Sequence, residues 1–346
     1  MNRREFLKSF AAAGAVASMP GAAVAAKPKN DKLIWSSLLH LGLNMWSDHK
    51  VDIWQTYKGS DRHIVEAADH IRFDEGVWNR LTTRMSEVGM NMVVIDLGEG
   101  LQYPSHPELA VKGSWSPEKM RKELTRLRKM GLEPIPKLNF SATHDIWLKE
   151  YSRMLSTSTY YKVCADVIKD VCEIFDHPRF FHLGYDEETP GHQAGWNYIV
   201  VRQGDLWWHD FLYITGQAEK HGSRPLVFAD RYWHHQKEFL RRMPKSVLLS
   251  NWEYEEYSDP EKCLYVKAYL DLEKAGFDQL PCGSNWDFDE SFGRMVELCK
   301  KEIAPERLKG FMMASWMKTV PQFEYRNKLS IDLVGKEIEK WNKGKS

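Results

Sequence analysis

Short apolar runs alternate with segments of helical period along most of the chain. The first run is SLLHLGLNMW, Ser37 to Trp46. A long polar and aromatic stretch follows. Then 74–88 sets Val77, Leu81, Met85 and Val88 on one face of a helix that Gly89 stops. The second run, NMVVIDLGEG (91–100), leads to a helix with Ser116 as N-cap and Pro117 as its first residue. Leu124, Leu127 and Met130 face inward there, and Gly131 ends it. LEPIPKLNF (132–140) is the third run, followed by a helix over 160–175 with the stripe Val163, Val167, Val171 and Ile174. RFFHLGYDEE, RPLVFADRYW, SVLLSNWEY, LPCGSNWDF and LKGFMMASWM are the fourth to eighth, and the amphipathic DLVGKEIEKWNKG closes the chain.

The runs lack a clean two-residue alternation, as expected of parallel strands covered by helices. Eight of them, with no Gly/Ser linker between, predict an α/β chain folded as a single (β/α)8 TIM barrel over residues 27–346. An open doubly wound sheet would carry a Gly-rich phosphate turn after its first strand; LGLNMWSD has none.

A barrel of this kind builds its site at the C-terminal ends of the strands. Those ends offer Asn44, Trp46 and Asp48 from the first strand, and Asp96, Glu99 and Gln102 from the second. The third ends in Asn139 and leads to His144; the fourth gives His182, Asp186, Glu187 and Glu188. Asp230, Arg231, Tyr232 and Trp233 follow the fifth, and Asn251, Trp252, Glu253 and Tyr254 the sixth. The seventh gives Asn285, Trp286 and Asp287, the eighth Ser315 and Trp316. Five of eight ends therefore deliver a tryptophan. Indole faces stack on pyranose rings while acids and amides bind hydroxyls, so the expected partner is a carbohydrate, an oligosaccharide or glycan. Trp207-Trp208 precedes a helical segment and is expected to dock that helix on the barrel.

Composition narrows this further. The chain has 48 basic and 48 acidic residues and no basic run interleaved with aromatics, so no nucleic-acid surface is expected. Five cysteines without a C-x-x-C are read as mostly buried free thiols. No cofactor or metal is called for. The first residues, MNRREFLKSFAAAGAVASMPGAAVAA, have Arg3-Arg4 before an apolar Ala-rich stretch and an A-x-A site at Ala23-Val24-Ala25. Residues 1–26 thus read as a twin-arginine export signal cleaved near Ala25/Ala26, which predicts a periplasmic or extracellular protein. The apolar part is short and broken by Pro20, so no stable membrane span is expected.

Adjacent acids at the end of the fourth strand suit glycoside hydrolysis. One acid protonates the glycosidic oxygen. In substrate-assisted cleavage the other orients the sugar's own 2-acetamido group, which attacks the anomeric carbon in place of an enzyme nucleophile.

FFHLGYDEE resembles the H-x-G-x-D-E segment of glycoside hydrolase family 20, the β-N-acetylhexosaminidases, at His182, Gly184, Asp186 and Glu187. The resemblance implies a (β/α)8 barrel in which Asp186 orients the acetamido group and Glu187 is the general acid. SVLLSNWEY is similar to that family's sixth-strand segment, with Trp252 and Tyr254 as pocket-lining aromatics. Trp316 resembles its tryptophan floor, and His144 a histidine after its third strand. The first strand lacks the family's arginine, so Asn44 or Asp48 would serve there, and Lys318 stands where an acid is frequent.

Other readings of the same residues remain. A metal-dependent sugar isomerase or epimerase would draw on Glu187, Asp230 and His182. A two-carboxylate retaining glycosidase would pair Glu187 with Glu253 or Asp287. A sugar-binding module would use the tryptophans alone.

Overall fold

The computed structural model describes residues 32–49, 65–194, 199–255 and 262–344; the segment read as an export signal lies outside the described residues. Eight strands form: β1 Ile34–His40, β2 Met92–Asp96, β3 Glu133–Lys137, β4 Phe180–His182, β5 Arg224–Phe228, β6 Leu248–Ser250, β7 Cys282–Gly283 and β8 Gly310–Ala314. Their order is β6-β5-β4-β3-β2-β1-β8-β7, and every pairing is parallel. The ends of that order meet. Leu249 bridges Gln279 and Trp252 bridges Cys282, and the Cys282 N–H donates to the Asn251 carbonyl at 2.9 Å. The sheet closes on itself as a (β/α)8 barrel.

One long helix follows each strand: α1 Glu75–Glu87, α2 Pro117–Lys129, α3 Ser158–Ile174, α4 Gly204–Lys220, α5 Arg231–Arg242, α6 Leu264–Lys274, α7 Ser291–Glu302 and α8 Glu324–Lys343. Their starts have local causes. The Asp74, Ser116 and Thr157 side chains each accept a backbone N–H of the first turn, from Val77, Lys119 and Tyr160. The third helix therefore begins two residues before the expected Tyr160. A 3-10 stretch, Ile146–Arg153, precedes α3, and a short helical turn, Pro190–Gln193, precedes α4.

Closure sorts the strand residues into two cores. Ile34, Leu38, Met92, Val94, Ile135, Phe180, Leu226, Phe228, Leu248, Cys282 and Met312 fill the barrel. Their neighbours Trp35, Leu39, Val93, Ile95, Phe181, Val227, Leu249 and Met313 pack outward against the helices. The alternation hidden in the linear pattern is thus real, but both faces are apolar. Trp207 and Trp208 are fully buried in the outer layer, with Trp207 stacked on Phe211 at 4.9 Å, so they dock α4.

The inward positions nearest the mouth turn polar. Lys137 Nζ lies 2.8 Å from Asp96 Oδ2, and His40 Nδ1 lies 3.0 Å from the same oxygen. Burial favours the neutral Asp96 acid, but the Lys137 charge, helped by the His40 imidazole beside it, outweighs it and holds the carboxyl low. Burial also pushes His40 down, so the cluster is one ion pair with a neutral imidazole beside it. Trp316 lies over this cluster, 5.9 Å from both Lys137 Nζ and the His40 ring.

Candidate active site

The chain leaves β4 by a sharp turn. Gly184, Tyr185 and Glu187 all have positive φ, of 73°, 75° and 56°. A Cβ on Gly184 would sit 1.9 Å from Asn139 Oδ1, so only glycine fits. Each non-glycine residue in this conformation costs about 1–2 kcal/mol, and the surrounding hydrogen bonds offset that. Asn139 Oδ1 accepts the backbone N–H groups of Ser141 and Tyr185, at 3.0 and 3.2 Å. Ser141 Oγ donates to the Asp186 carbonyl at 2.6 Å, and Thr143 Oγ1 to the Glu187 carbonyl at 2.7 Å. The loop after β3 thereby fixes the loop after β4.

Asp186 is 6% exposed, and its Oδ1 accepts a hydrogen bond from Asn139 Nδ2 at 2.7 Å. The His144 ring lies between the two acids, Nδ1 3.4 Å from Asp186 Oδ1 and Nε2 3.3 Å from Glu187 Oε2. Burial opposes a charge on His144, yet Asp186 and then Glu187 overcome it and push the imidazole up to about 10. Against its own burial, Asp186 is held well below the usual carboxylate range by His144, Lys137 and the Asn139 amide. Glu187 is 30% exposed, and a second imidazole, His192 Nε2, lies 3.5 Å from its Oε1. Behind it, Asp230 Oδ2 accepts the Glu187 N–H at 2.7 Å. Burial, with the charges of Asp186 and Glu187, pushes Asp230 up to about 8. The site at neutral pH holds an ionised Asp186, a charged His144 and a neutral Asp230.

Aromatic walls rise from the other strands. Trp252 stacks on Tyr254 at 5.0 Å, and its Nε1 lies 3.4 Å from Asp230 Oδ1. Trp316, at φ 58°, donates from Nε1 to the Tyr254 hydroxyl at 3.2 Å. Trp46 meets the His144 ring edge-on at 5.6 Å. Asn139, His144, Asp186, Glu187, Asp230, Trp46, Trp252, Tyr254 and Trp316 are therefore linked by direct contacts from six strand ends.

Several other sequence candidates lie elsewhere. Tyr232 donates its hydroxyl to Asp271 Oδ2 at 2.7 Å, away from the acids. Trp233 packs behind Trp252 at 4.6 Å and donates to Asn251 Oδ1. Both belong to α5, which starts three residues after β5, so helical spacing rather than strand direction aims them. His182 is fully buried inside the barrel against Phe228, where its Nδ1 accepts the Gly184 N–H. Burial pushes it down to about 3, so it is neutral. Asn44 spans the loop after β1, exchanging hydrogen bonds with the Ala68 backbone. Asn285 donates to the Arg326 carbonyl at the start of α8, and Trp286 is half-buried at the end of β7.

Arg72 and Arg202 had no signal in the linear chain, whereas Glu188, Glu253 and Asp287 were candidates that the structure uses elsewhere. Arg72 reaches the end of β1 from its loop and donates to Asn44 Oδ1 and the Leu43 carbonyl. Glu188 forms a buried ion pair with Arg202, at 2.8 Å to Nε and 2.6 Å to Nη2. Glu253 accepts the N–H groups of Tyr254 and Glu255, both at 2.7 Å, capping its own loop, and Asp287 is exposed. Among the described residues, no three His, Cys, Asp or Glu side chains are grouped to hold a metal ion.

No protein-family model matches the chain, and no curated protein matches it in sequence. Solved structures do. A β-N-acetylhexosaminidase from Bacteroides fragilis superposes with a TM-score of 0.57 at 12% identity, over 86% of this chain and 65% of its own. A Flavobacterium johnsoniae chitobiase gives 0.57 at 16% identity, over 75% and 46%. A mutant Streptomyces plicatus β-hexosaminidase in complex with its product, N-acetylglucosamine, gives 0.57 at 12% identity, over 87% and 63%. The chain thus spans less than two thirds of each of these proteins, and what it shares with them is the (β/α)8 fold.

Proposed function

We propose that the chain is an exported glycoside hydrolase of the family 20 type, which cleaves a terminal 2-acetamido sugar with retention by substrate assistance. The observation that carries this is the Asp186–His144–Glu187 arrangement at the mouth, with Asp186 held ionised. An anionic Asp186 accepts the acetamido N–H and turns the acetamido oxygen toward C1. That oxygen bonds to C1 as the C1–O bond to the leaving group breaks, and Glu187, in the fraction of molecules where it carries a proton, gives that proton to the leaving oxygen. Asp186 offsets the positive charge of the resulting oxazolinium. The charged His144 offsets the negative charge that Glu187 acquires as its proton departs. Water then attacks C1, Glu187 takes its proton, and the acetamide is restored. Trp316, Trp252 and Tyr254 supply apolar surfaces for the sugar ring. The similarly folded proteins named above are described as hexosaminidases and a chitobiase, which favours the same chemistry.

A two-carboxylate mechanism is less well supported, because Glu253 is occupied by its own loop. Chromogenic β-glycosides with and without a 2-acetamido group separate the readings. Turnover should require that group. Glu187→Gln should lower kcat by about 10²–10⁴-fold, while Glu253→Gln should keep it. Equal turnover of simple glucosides would overturn substrate assistance.

A further inference from the structure

A cavity of about 540 Å³ opens beside the acids, between the loop after β4 and the first turn of α5. Three acids lie on its wall: Glu188 pairs with Arg202, Glu238 with Arg242 at 3.2 Å, and burial pushes Asp230 toward its neutral form. One cation there has no direct partner, although Glu188 and Glu238 act on it through space. The Arg231 guanidinium lies over the Trp207 ring, 4.4 Å from its centroid. Among the described residues it has no carboxylate at ion-pair distance and donates no hydrogen bond, and its Nε is buried without a partner. A partly buried guanidinium with its face on indole presents its N–H edge as a fork, the geometry that matches a carboxylate or sulfate. His234 and His235 also line the cavity, and the backbone of α5 breaks at His235 (φ −138°, ψ 44°), so its first turn is set apart from the rest of the helix.

The cavity adjoins the general acid. Asp230, on its wall, accepts the Glu187 N–H. His192 lies 3.5 Å from Glu187 Oε1, and His234 is lowered by burial first and then by the charges of His192 and Arg231. A group beside the acid that protonates the leaving oxygen meets the leaving portion of the substrate.

We propose that this cavity is a subsite for an anionic group on the leaving sugar, with Arg231 as its cation, so that the preferred substrates join a 2-acetamido sugar to an acidic one. The inference rests on the hydrolase reading above. The carboxylate of a uronic acid and a sulfate ester share the required chemistry.

Three β-linked disaccharides test it, each with the same 2-acetamido sugar on glucose, glucuronic acid or glucose 6-sulfate. The unaltered protein should favour at least one acidic disaccharide over the neutral one by about tenfold in kcat/KM, the worth of one charge-assisted pair. Which acid gains tells carboxylate from sulfate. Arg231→Gln should bring that ratio close to one, through KM, and added salt should shrink it. A ratio of one in the unaltered protein, or one unchanged in Arg231→Gln, overturns the subsite. Should Arg231→Gln fail to fold, as loss of the Trp207 stack could cause, Arg231→Met keeps an apolar stem on Trp207 and removes the charge; an unchanged ratio there overturns it equally. Calorimetric binding of the three disaccharides to Glu187→Gln reads the subsite without turnover. Loss of all 2-acetamido glycosidase activity would defeat the hydrolase reading, while this binding preference, present or absent, still decides the role of Arg231.

Discussion

His144 is the residue on which the site's charge balance turns. Its ring is buried at 3% exposure, where an imidazolium is costly, yet it contacts two carboxylates. The carboxylates win, and its protonation moves from the ordinary 6.5 up to about 10. The folded chain therefore keeps a proton that the unfolded chain gives up. The stability this confers is complete below about pH 6.5 and is lost as pH rises through about 10. Asp230 acts in the same direction over a lower window, from 3.8 to about 8, because its buried acid form is the favoured one. The thermal midpoint should fall between pH 6.5 and 10, and His144→Gln should flatten that fall. Parallel pH profiles for the two proteins would show that the imidazole is not bound to the acids in this way.

At the scale of elements, the fourth strand is the one held from both sides. β4 has only three residues, and the left-handed turn after it is kept by Asn139, Ser141 and Thr143 from the loop after β3. On the other side Glu188 anchors it to Arg202, which also donates to the Phe140 carbonyl at 2.9 Å and meets Asp210 of α4 at 3.3 Å. Removing one partner of a buried pair leaves an uncompensated charge, at a cost of about 3–5 kcal/mol. Glu188→Gln should therefore lower unfolding free energy in urea by that order, with little change in the denaturant slope. A single-variant loss below about 1 kcal/mol, as for a solvent-exposed pair, would contradict this role.

For the whole molecule, the question is where it folds. All five cysteines are free, and four are buried, Cys164, Cys172, Cys282 and Cys299. Burial raises each of these thiols, which keeps them unreactive. A chain that folds before leaving a reducing compartment carries such thiols safely out, and this agrees with the proposed twin-arginine export. Residues 1–26 fused to a reporter should direct folded cargo across the membrane, and Arg3→Lys/Arg4→Lys should strand it inside. Export unaffected by that change would point to a different route.

The linear chain by itself determined the count of strands, because eight apolar runs are local features. It also determined the adjacency of Asp186 and Glu187 at a strand end, and the tryptophans around them. Direction beyond a strand end was not legible. Tyr232 and Trp233 turn away because α5 begins at Arg231, and Asn285 turns to α8. Partnership was not legible either: Glu188 finds Arg202 fourteen residues on, and Lys137 finds Asp96 on the neighbouring strand. Only tertiary structure decided these, and with them the protonation of His144 and Asp230. Charge state depends on burial and on neighbours brought together through space, and no local pattern carries that information.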